Sequence, residues 1–590
     1  MSYEETQRRL LRVFEAADQD DSCDDSGSDF EIDNVGQRSS ESDSEQEVGL
    51  PNEEENEAEG SEERESNDNR PYFTGKNGTK WFSVPERSNV RTRSENIIRE
   101  RQGVKDIGKN AKTAVECWKL FLTDEILQEI LLHTNSQINL KRTACENSHV
   151  KKYIMADLSS SELKAFIGLL YLAGQFKANK LNLKDLWISD GSGVEIFRTT
   201  MTLKRFQFIQ NCLRFDDKNT RSERKATDNL AAIRSFFEKF VANCQIVYTP
   251  SEYTTIDEQL PSFRGRCSFR QYMPNKPNKY GLKIYALVDA KSFYVINLEI
   301  YPGKQPTGPY ALSNKAYDVV DRLVAPISKT NRNVTFDNWF TSYPLMLHLL
   351  KEHRLTSTGT VRKNKPEIPS QMLQTRNREI PSTVFGFQKD ISLLSHVPKK
   401  NKVVLLMSTL HHDDSVVADT NGTQKPEMII FYNQTKGGVD VVDELCTNYD
   451  VSRNTKRWPM VIFYAVLNMA GINSIIVYKS NNSSNLSRRN FLRDLGIGLV
   501  SEHLQNRKEN QHLPRELRKR ILDQVDEPSH SQRPPNKVPK PIRRCQICPT
   551  KKDRKTKHTC YKCNRYLCME HAVFTCQDCA QTEDDYENSE

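Results

Sequence analysis

The 590-residue chain has no apolar run at its start, because acidic and basic side chains between Glu4 and Arg12 interrupt the first residues. A secretory signal peptide is therefore not expected. Long hydrophobic runs are also scarce. The main one, Trp458 to Tyr478, contains Pro459, Asn468 and Asn473. It predicts a buried helix rather than a membrane span, and no membrane partner is expected.

Cysteine is scarce outside the C-terminal region. Seven of the fourteen cysteines are scattered between Cys23 and Cys446, whereas the other seven lie between Cys545 and Cys579. This distribution does not resemble a disulfide framework. It indicates a reducing compartment and a metal site near the C-terminus.

Apolar and aromatic side chains are scarce in residues 1–70, which cannot bury enough apolar surface to offset chain entropy and are predicted to be disordered. This segment holds 24 Asp and Glu but 6 Lys and Arg, a net charge of −18. Since the whole chain has a net charge of +7, residues 71–590 carry +25. Such a basic surplus is typical of a protein that binds a polyanion such as nucleic acid. A solvated basic surface would have the same composition.

The remaining chain is too long for a single core and predicts several domains. Apolar residues recur at helical spacing from about residue 110 to 245, which predicts a helical domain. From residue 253, short β-branched and aromatic runs interleaved with helical segments predict an α/β core. The predicted strands are Tyr253–Ile256, Lys283–Val288, Tyr294–Ile300, Asn333–Phe336, Val384–Phe387, Val403–Met407 and Met428–Tyr432.

Three aspartates occur in segments suited to a metal site. Asp257 and Asp337 each follow a short apolar run, where the carboxyl end of a strand would place a carboxylate in the site of an α/β sheet. Asp440 and Asp443 follow Gly437 and Gly438 and would share one face of a helix. Converging carboxylates bind hard cations such as Mg²⁺ and could support phosphodiester chemistry. An N-cap or turn role for each aspartate is the alternative.

Basic residues surround these aspartates and would contact DNA phosphates, fixing register rather than base choice. A charged, solvated face is the alternative. Trp339 and Trp458 would either stack on unpaired bases or pack in the core. The predicted DNA-binding residues are Arg264, Arg266, Lys276, Lys279, Arg362, Lys363, Lys436, Arg453, Arg457 and Trp458.

The C-terminal region contains four ligand pairs, each separated by two residues, and eight such ligands make two tetrahedral zinc sites. The pairs are Cys545 and Cys548, Cys560 and Cys563, Cys568 and His571, and Cys576 and Cys579. Spacing does not determine which pairs share an ion, and His558 is the alternative to His571. Basic residues before and within this region suit a nuclear localisation signal, and a solvated linker is the alternative.

Several long motifs closely resemble the piggyBac family of transposases. They comprise residues 257–267, 272–283, 335–342, 359–365, 432–440, 452–453 and 456–460, and the resemblance extends from about residue 110 to the C-terminal cysteines. It implies that Asp257, Asp337 and Asp440 form a catalytic triad, with Asp443 as a further carboxylate. The resemblance also implies Mg²⁺ or Mn²⁺ at the triad and a cross-brace zinc domain.

The resemblance implies a multidomain α/β fold, in which an RNase H-like core with a β-rich insertion is flanked by a helical domain that dimerises and binds DNA. The expected domains are an acidic disordered region (1–105), a helical domain in two parts (106–251 and 450–528), a core in two parts (252–362 and 427–449), the insertion (363–426), a basic linker (529–544) and a zinc domain (545–580).

The implied function is cut-and-paste transposition at TTAA sites, with cleavage and strand transfer through hairpin ends, by a nuclear homodimer that binds double-stranded DNA. Two alternatives remain. A domesticated relative would bind DNA or chromatin without cutting, and intact aspartates argue against it. A ubiquitin ligase of the RING type would use only the C-terminal cysteines.

Overall fold

A computed structural model describes residues 70–86, 96–144, 152–274, 276, 278–418, 424–526, 543–549, 551–560, 563 and 565–572. The chain forms two compact units, Met1–Asn510 and Gln511–Glu590. Three parts of the predictions lie outside the described residues. They are the disorder predicted for residues 1–69, most of the basic linker, and the zinc ligands Cys576 and Cys579.

The described helices are α1 (Ala114–Lys119), α2 (Asp124–Ala144), α3 (Ser160–Gln175), α4 (Leu183–Leu186), α5 (Glu195–Thr200), α6 (Leu203–Cys212), α7 (Arg221–Lys225), α8 (Arg234–Val247), α9 (Ala316–Val324), α10 (Tyr343–Lys351), α11 (Ser370–Leu373), α12 (Glu427–Thr435), α13 (Gly438–Asn448), α14 (Trp458–Asn482), α15 (Arg488–Lys508) and α16 (Arg515–Asp526).

The described strands are β1 (Tyr72–Thr74), β2 (Lys80–Phe82), β3 (Gly103–Val104), β4 (Tyr248–Thr249), β5 (Tyr253–Gln259), β6 (Gln271–Tyr272), β7 (Tyr280–Gly281), β8 (Ile284–Asp289), β9 (Val295–Ile300), β10 (Asn333–Phe336), β11 (Thr356–Thr360), β12 (Ser382–Phe387), β13 (Ser392–Lys399), β14 (Lys402–Ser408), β15 (Val416–Ala418), β16 (Gln424–Pro426), β17 (Arg543–Arg544) and β18 (Lys555–Thr556).

The centre of the first unit is a mixed sheet in which five strands have the order β9-β8-β5-β10-β11. Strands β5, β10 and β11 are parallel, whereas β8 is antiparallel to both of its neighbours. Helices α9 and α10 precede and follow β10 in the chain. This strand order and polarity is that of the RNase H fold, so the predicted α/β class is confirmed.

The insertion extends this sheet rather than forming a separate β domain. Strand β14 pairs with β11, and β13 and β12 continue the sheet in antiparallel order. The hairpin β1–β2 then completes ten strands through a pairing of Phe82 with Phe387.

This hairpin differs from the expectation that residues 1–105 are disordered. Trp81 is buried, and its indole Nε1 donates a hydrogen bond to the carbonyl of Glu367 at 2.8 Å. The acidic composition of the preceding residues gave no indication of this hairpin. Strand β3, which pairs with β4, also lies within the region that was expected to be disordered.

The predicted strand Met428–Tyr432 is wrong, because these residues belong to helix α12. Met428 and Tyr432 are both buried and pack with Leu394 and Leu406. Their spacing of four residues places them on one helical face. A short apolar run is ambiguous between strand and helix, and here the helical period applies.

The apolar stretch near residue 458 forms helix α14, as predicted. It is long and apolar enough to cross a membrane, but 89% of its most apolar window is buried inside the protein. Asn473, fully buried at its centre, donates to the carbonyl of Val295 and accepts from the amide of Val295, both at 2.9 Å. Asn473 therefore joins α14 to β9.

Candidate active site

Strands β5 and β10 bring Asp257 and Asp337 to the same edge of the sheet. The two strands are parallel, and Ile256 pairs with Phe336, the residues that immediately precede the two aspartates. Asp337 directly follows β10, at the carboxyl end of the strand, where sites are built in α/β sheets. Asp257 was expected to follow a strand that ends at Ile256, but β5 continues to Gln259, so Asp257 lies within the strand. The register thus places both carboxylates side by side.

Helix α13 brings Asp440 to this edge. Thr255 of β5 donates a hydrogen bond to the Thr435 carbonyl at 2.5 Å, and the hydroxyls of Thr335 and Thr435 lie 2.8 Å apart. The helix then begins at Gly438, where an added Cβ would lie 2.6 Å from the Thr255 hydroxyl. A glycine is needed for this approach, which puts Asp440 in the first helical turn.

Part of the alternative turn role is also present. One oxygen of Asp337 accepts a hydrogen bond from the Trp339 amide at 2.9 Å, and one oxygen of Asp257 accepts from the Glu258 amide at 2.7 Å. Each carboxylate has several acceptor positions, so these bonds orient it and leave others for a cation.

Lys276 lies among these carboxylates. Its ammonium is 3.7 Å from Asp440 and donates to the Glu258 carbonyl at 3.1 Å. The nearby carboxylates of Asp257, Asp440, Glu258 and Asp443 raise the pKa of Lys276 against the opposing effect of burial. This lysine is therefore a fixed positive charge in the site.

Glu258 is a further carboxylate that spacing did not select. Its side chain is 13% exposed and lies 3.9 Å from the ammonium of Lys283. Its charge contributes to the raised pKa of both Asp257 and Asp337. Adjacent strand residues normally point to opposite faces, so the pattern gave no reason to group it with Asp257. The feature of the sequence that could have identified Glu258 is that it directly follows Asp257.

Burial and mutual repulsion make it unfavourable for the carboxyl groups of this cluster to be ionised without a bound cation. Burial, followed by the charges of Glu258 and Asp440, raises the pKa of Asp257 well above its ordinary value. Burial and Glu258 raise the pKa of Asp337. Burial raises the pKa of Asp443 to about 6. A divalent cation would offset these costs, and oxygen donors suit Mg²⁺ or Mn²⁺, so the donor set fits such an ion.

The predicted DNA-binding residues differ in exposure. Lys276, Lys436 and Arg457 are partly buried, and Arg453 is buried with its guanidinium donating to the Ala178 carbonyl at 2.6 Å. Arg362 lies near Asp337, and its positive charge offsets part of the rise in the pKa of that carboxyl. The exposed members are Arg264, Arg266, Lys279, Arg362 and Lys363.

A basic pocket of about 490 Å³ lies in the first unit, where α14 begins. Arg457 fixes one wall, because its guanidinium donates to the carbonyls of Gln210, Asn211 and Leu213. Burial and the nearby arginines 214 and 221 lower its pKa to about 10. The charged lining residues are Arg214, Arg221, Lys225, Arg266, Lys456 and Arg457.

The two tryptophans have different surroundings. Trp458 lines the basic pocket and contacts Phe269 edge-on, with ring centroids 5.0 Å apart. Trp339 instead stacks on Tyr285 at 5.6 Å, and the Lys283 ammonium lies 4.6 Å from its ring. Packing thus accounts for Trp339, whereas Trp458 borders an open cavity.

In the second unit, the first ligand pair meets the third. His571 Nδ1 lies 3.3 Å from the Cys568 sulfur, 3.6 Å from that of Cys548 and 3.7 Å from that of Cys545. The sulfurs of Cys548 and Cys568 are 3.6 Å apart. Tetrahedral zinc separates its ligands by about 3.6 to 3.8 Å, so these four residues fit one zinc ion.

This pairing is half of the cross-brace arrangement. Among the described residues of the C-terminal unit, the cluster of four includes His571 and not His558, which is exposed. Cys560 and Cys563 belong to the second predicted site, whose other ligands, Cys576 and Cys579, lie outside the described residues. The second zinc site stays a prediction.

The chain is similar to known transposases. The family described as Transposase IS4 matches residues 113–475. The chain is 38% identical to a piggyBac transposase solved by cryo-electron microscopy as a synaptic complex with hairpin DNA, with a TM-score of 0.68. That match covers 81% of this chain and all of the solved one.

Human relatives are more distant. PiggyBac transposable element-derived protein 3 of Homo sapiens is 26% identical over 366 residues, which cover 59% of this chain and 58% of that protein. PiggyBac transposable element-derived protein 2 of Homo sapiens is 22% identical over 371 residues, 60% of each chain. The match thus spans less than two thirds of either human protein. The family match and the shared fold lead to one conclusion: the chain belongs to the piggyBac family of transposases.

Proposed function

We propose that this protein is a cut-and-paste DNA transposase, which excises a transposon and integrates it at TTAA sites through hairpin ends. The observation that carries the proposal is the meeting of β5, β10 and the first turn of α13, which each supply one aspartate to the same edge of the sheet. Asp257, Asp337 and Asp440 are the proposed catalytic residues.

These three aspartates, with Asp443 and Glu258 beside them, would hold Mg²⁺ or Mn²⁺. The bound ions would activate a water or a 3′-hydroxyl and neutralise charge on the attacked phosphate. The roles of the protein groups follow from their positions. Lys276 offsets the negative charge of the carboxylates before DNA arrives, and Arg362 would contact the phosphate backbone beside Asp337.

The basic pocket suits an unpaired nucleotide. Its cations would contact phosphates, and the ring of Trp458 borders a cavity of about 490 Å³ in which a base could stack. The synaptic complex of the 38% identical transposase contains hairpin DNA, a structure in which bases at the tip are unpaired. A Trp458→Ala variant that excises normally would remove this role from the proposal.

The C-terminal cysteines would form a domain with two zinc ions that reads transposon-end DNA. We also propose that the protein acts as a homodimer in the nucleus. Light scattering would test the dimer, and imaging a tagged chain with and without residues 529–557 would test the basic localisation signal.

A second function is DNA or chromatin binding without transposition. The observation that favours it is that two human relatives are named transposable element-derived proteins. It would use the same basic surfaces but no phosphodiester chemistry.

An excision assay in cells separates the two functions. The donor would carry the genomic DNA that flanks this gene, and the wild type would be compared with Asp257→Asn, Asp337→Asn and Asp440→Asn. Asp106→Asn is the matched control, because the side chain of Asp106 is 96% exposed and outside the site. Seamless repair to TTAA by the wild type and the control alone is expected. Binding of the ends without excision would favour the second function.

A further inference from the structure

Two histidines and an aspartate meet outside the active site. Asp321 lies on α9, His348 is in the last turn of α10, and His353 is in the loop that leads to β11. Asp321 Oδ1 lies 2.7 Å from Nε2 of His348 and 2.9 Å from Nε2 of His353. One donor atom from each residue lies within 4.8 Å of the other two.

This cluster lies at the opposite end of β10 from Asp337. The amide of Lys329, shortly before β10, donates to the His353 carbonyl at 2.5 Å. Asp337 follows the other end of this four-residue strand, and four residues of strand span about 13 Å. The cluster is therefore separate from the proposed catalytic carboxylates.

The orientation of His353 suits a metal ligand. Its Nδ1 lies 3.0 Å from the Ser328 hydroxyl. At 2.9 Å from Asp321 Oδ1, His353 Nε2 donates a hydrogen bond when no cation is present. With Nδ1 protonated and donating to Ser328, Nε2 would instead offer its lone pair to a cation held between it and Asp321. Histidines that bind metals are usually fixed in this way, by a hydrogen bond from the other ring nitrogen.

The surroundings favour a cation that arrives from solvent. The side chains of Asp321, His348 and His353 are 40%, 27% and 17% exposed, so an ion can reach them and retain water. Asp318 and Glu352 add negative charge beside Tyr317, whose ring lies 5.1 Å from that of His348. The neighbouring cation Arg322 is already paired with Glu299 at 2.7 Å.

We propose that Asp321, His348 and His353 bind one Zn²⁺ ion, with water completing its coordination. Two imidazole nitrogens and one carboxylate are ligands that zinc accepts, and three protein ligands leave a position open. The ion would tie α9 to the end of α10 and to the loop after it. It would thereby brace the helices that precede and follow β10. A hydrogen-bonded triad without metal is the competing arrangement.

The zinc content of the full-length protein tests this site. Three proteins would be dialysed against metal-free buffer, and the zinc content of each would be measured by elemental mass spectrometry. They are the wild type, the double histidine variant His348→Gln/His353→Gln and the cysteine variant Cys548→Ser/Cys568→Ser. We expect the double histidine variant to contain one zinc per chain less than the wild type. The cysteine variant should keep this ion, because its lost ligands belong to the C-terminal cluster. His133→Gln, a partly buried histidine on α2, is the matched control and should match the wild type.

A second measurement distinguishes metal binding from hydrogen bonding. Zinc added to the metal-stripped cysteine variant should raise its melting temperature. The same addition should have a smaller effect once both histidines are also replaced, because both variants keep the second predicted C-terminal site and differ in Asp321's partners alone. If the double histidine variant does not fold, Asp321→Asn keeps an oxygen that can accept from both imidazoles but removes the charged ligand. Loss of one zinc in that variant would support the site. If the double histidine variant or Asp321→Asn contains as much zinc as the wild type, the proposed site is overturned.

Discussion

Gly438 lies where the backbone of α13 passes close to Thr255 of β5. An added Cβ would be 2.6 Å from the Thr255 hydroxyl oxygen and 3.1 Å from the Thr255 Cβ, both in the buried interior of the sheet. We predict that Gly438→Ala costs about 1–3 kcal/mol of stability through overpacking. We also predict a loss of excision of about 100-fold, because a shift of about 1 Å in a catalytic group can have that effect. Excision frequency and thermal unfolding would be measured together.

The matched control for this substitution is Gly438→Ala combined with Thr255→Ala. The second change removes the hydroxyl that the new methyl group would meet, at the cost of the hydrogen bond to the Thr435 carbonyl. Partial recovery of excision relative to Gly438→Ala is expected. Full activity of the single variant would show that the distance between α13 and β5 does not control the position of Asp440.

His411 makes part of the stability dependent on pH. Burial lowers its pKa to about 4, and its Nδ1 lies 2.9 Å from the Ser408 hydroxyl. In the unfolded chain the pKa is about 6.5, so the unfolded state takes up the proton first as pH falls. The contribution to stability is complete above about pH 6.5 and is lost as pH falls towards 4, to a total of about 3 kcal/mol.

Urea unfolding of wild type and His411→Gln at several pH values would test this linkage. The wild type should lose more stability than the variant between pH 6.5 and pH 4. Comparing the two chains cancels the titration of the other groups. Parallel curves would mean that His411 is protonated without a cost to the fold.

At the scale of elements, the strands that carry the aspartates were predictable because local sequence determines them. The predicted strand Asn333–Phe336 matches β10 in full, and the Gly-Gly turn correctly marks the start of α13. Helix α12 and the hairpin β1–β2 were missed. Both depend on partners distant in sequence, since Met428 packs on the insertion and Trp81 hydrogen-bonds to Glu367.

The zinc cluster also depends on contacts between segments that are distant in sequence. Spacing identified the ligand pairs, but only folding brings Cys545 and Cys548 to Cys568 and His571. We predict that His571→Ala releases one zinc per chain, whereas His558→Ala retains it. In a fragment of residues 540–590, a chelator should unfold the chain, because so short a segment has no core of its own without the metal. Metal analysis and circular dichroism would follow both effects, and a zinc loss in the His558 variant would contradict the ligand assignment.

At the scale of the whole molecule, segments that are distant in sequence pack together within the first unit. Residues from α14, late in the sequence, complete the packing around β9, and β12–β14 extend a sheet begun at β5. Such pairings are set by contacts between distant segments, which local periodicity does not record. The residues alone predicted helical and α/β regions in the right order along the chain. The division of the core and the helical domain into two parts each stays a prediction from the family resemblance.

Charge acts over the same long range. Residues 1–70 carry −18 and residues 71–590 carry +25, so the acidic segment is expected to compete with DNA for the basic surface. We predict that deleting residues 1–70 raises DNA affinity severalfold at about 10 mM salt, where the Debye length is about 30 Å. The gain should shrink at physiological salt, where that length is about 8 Å. A chain in which the acidic residues of this segment become Asn and Gln is the control for length, and it should bind as tightly as the deletion. Unchanged affinity at low salt would show that the acidic segment does not occupy the DNA-binding surface.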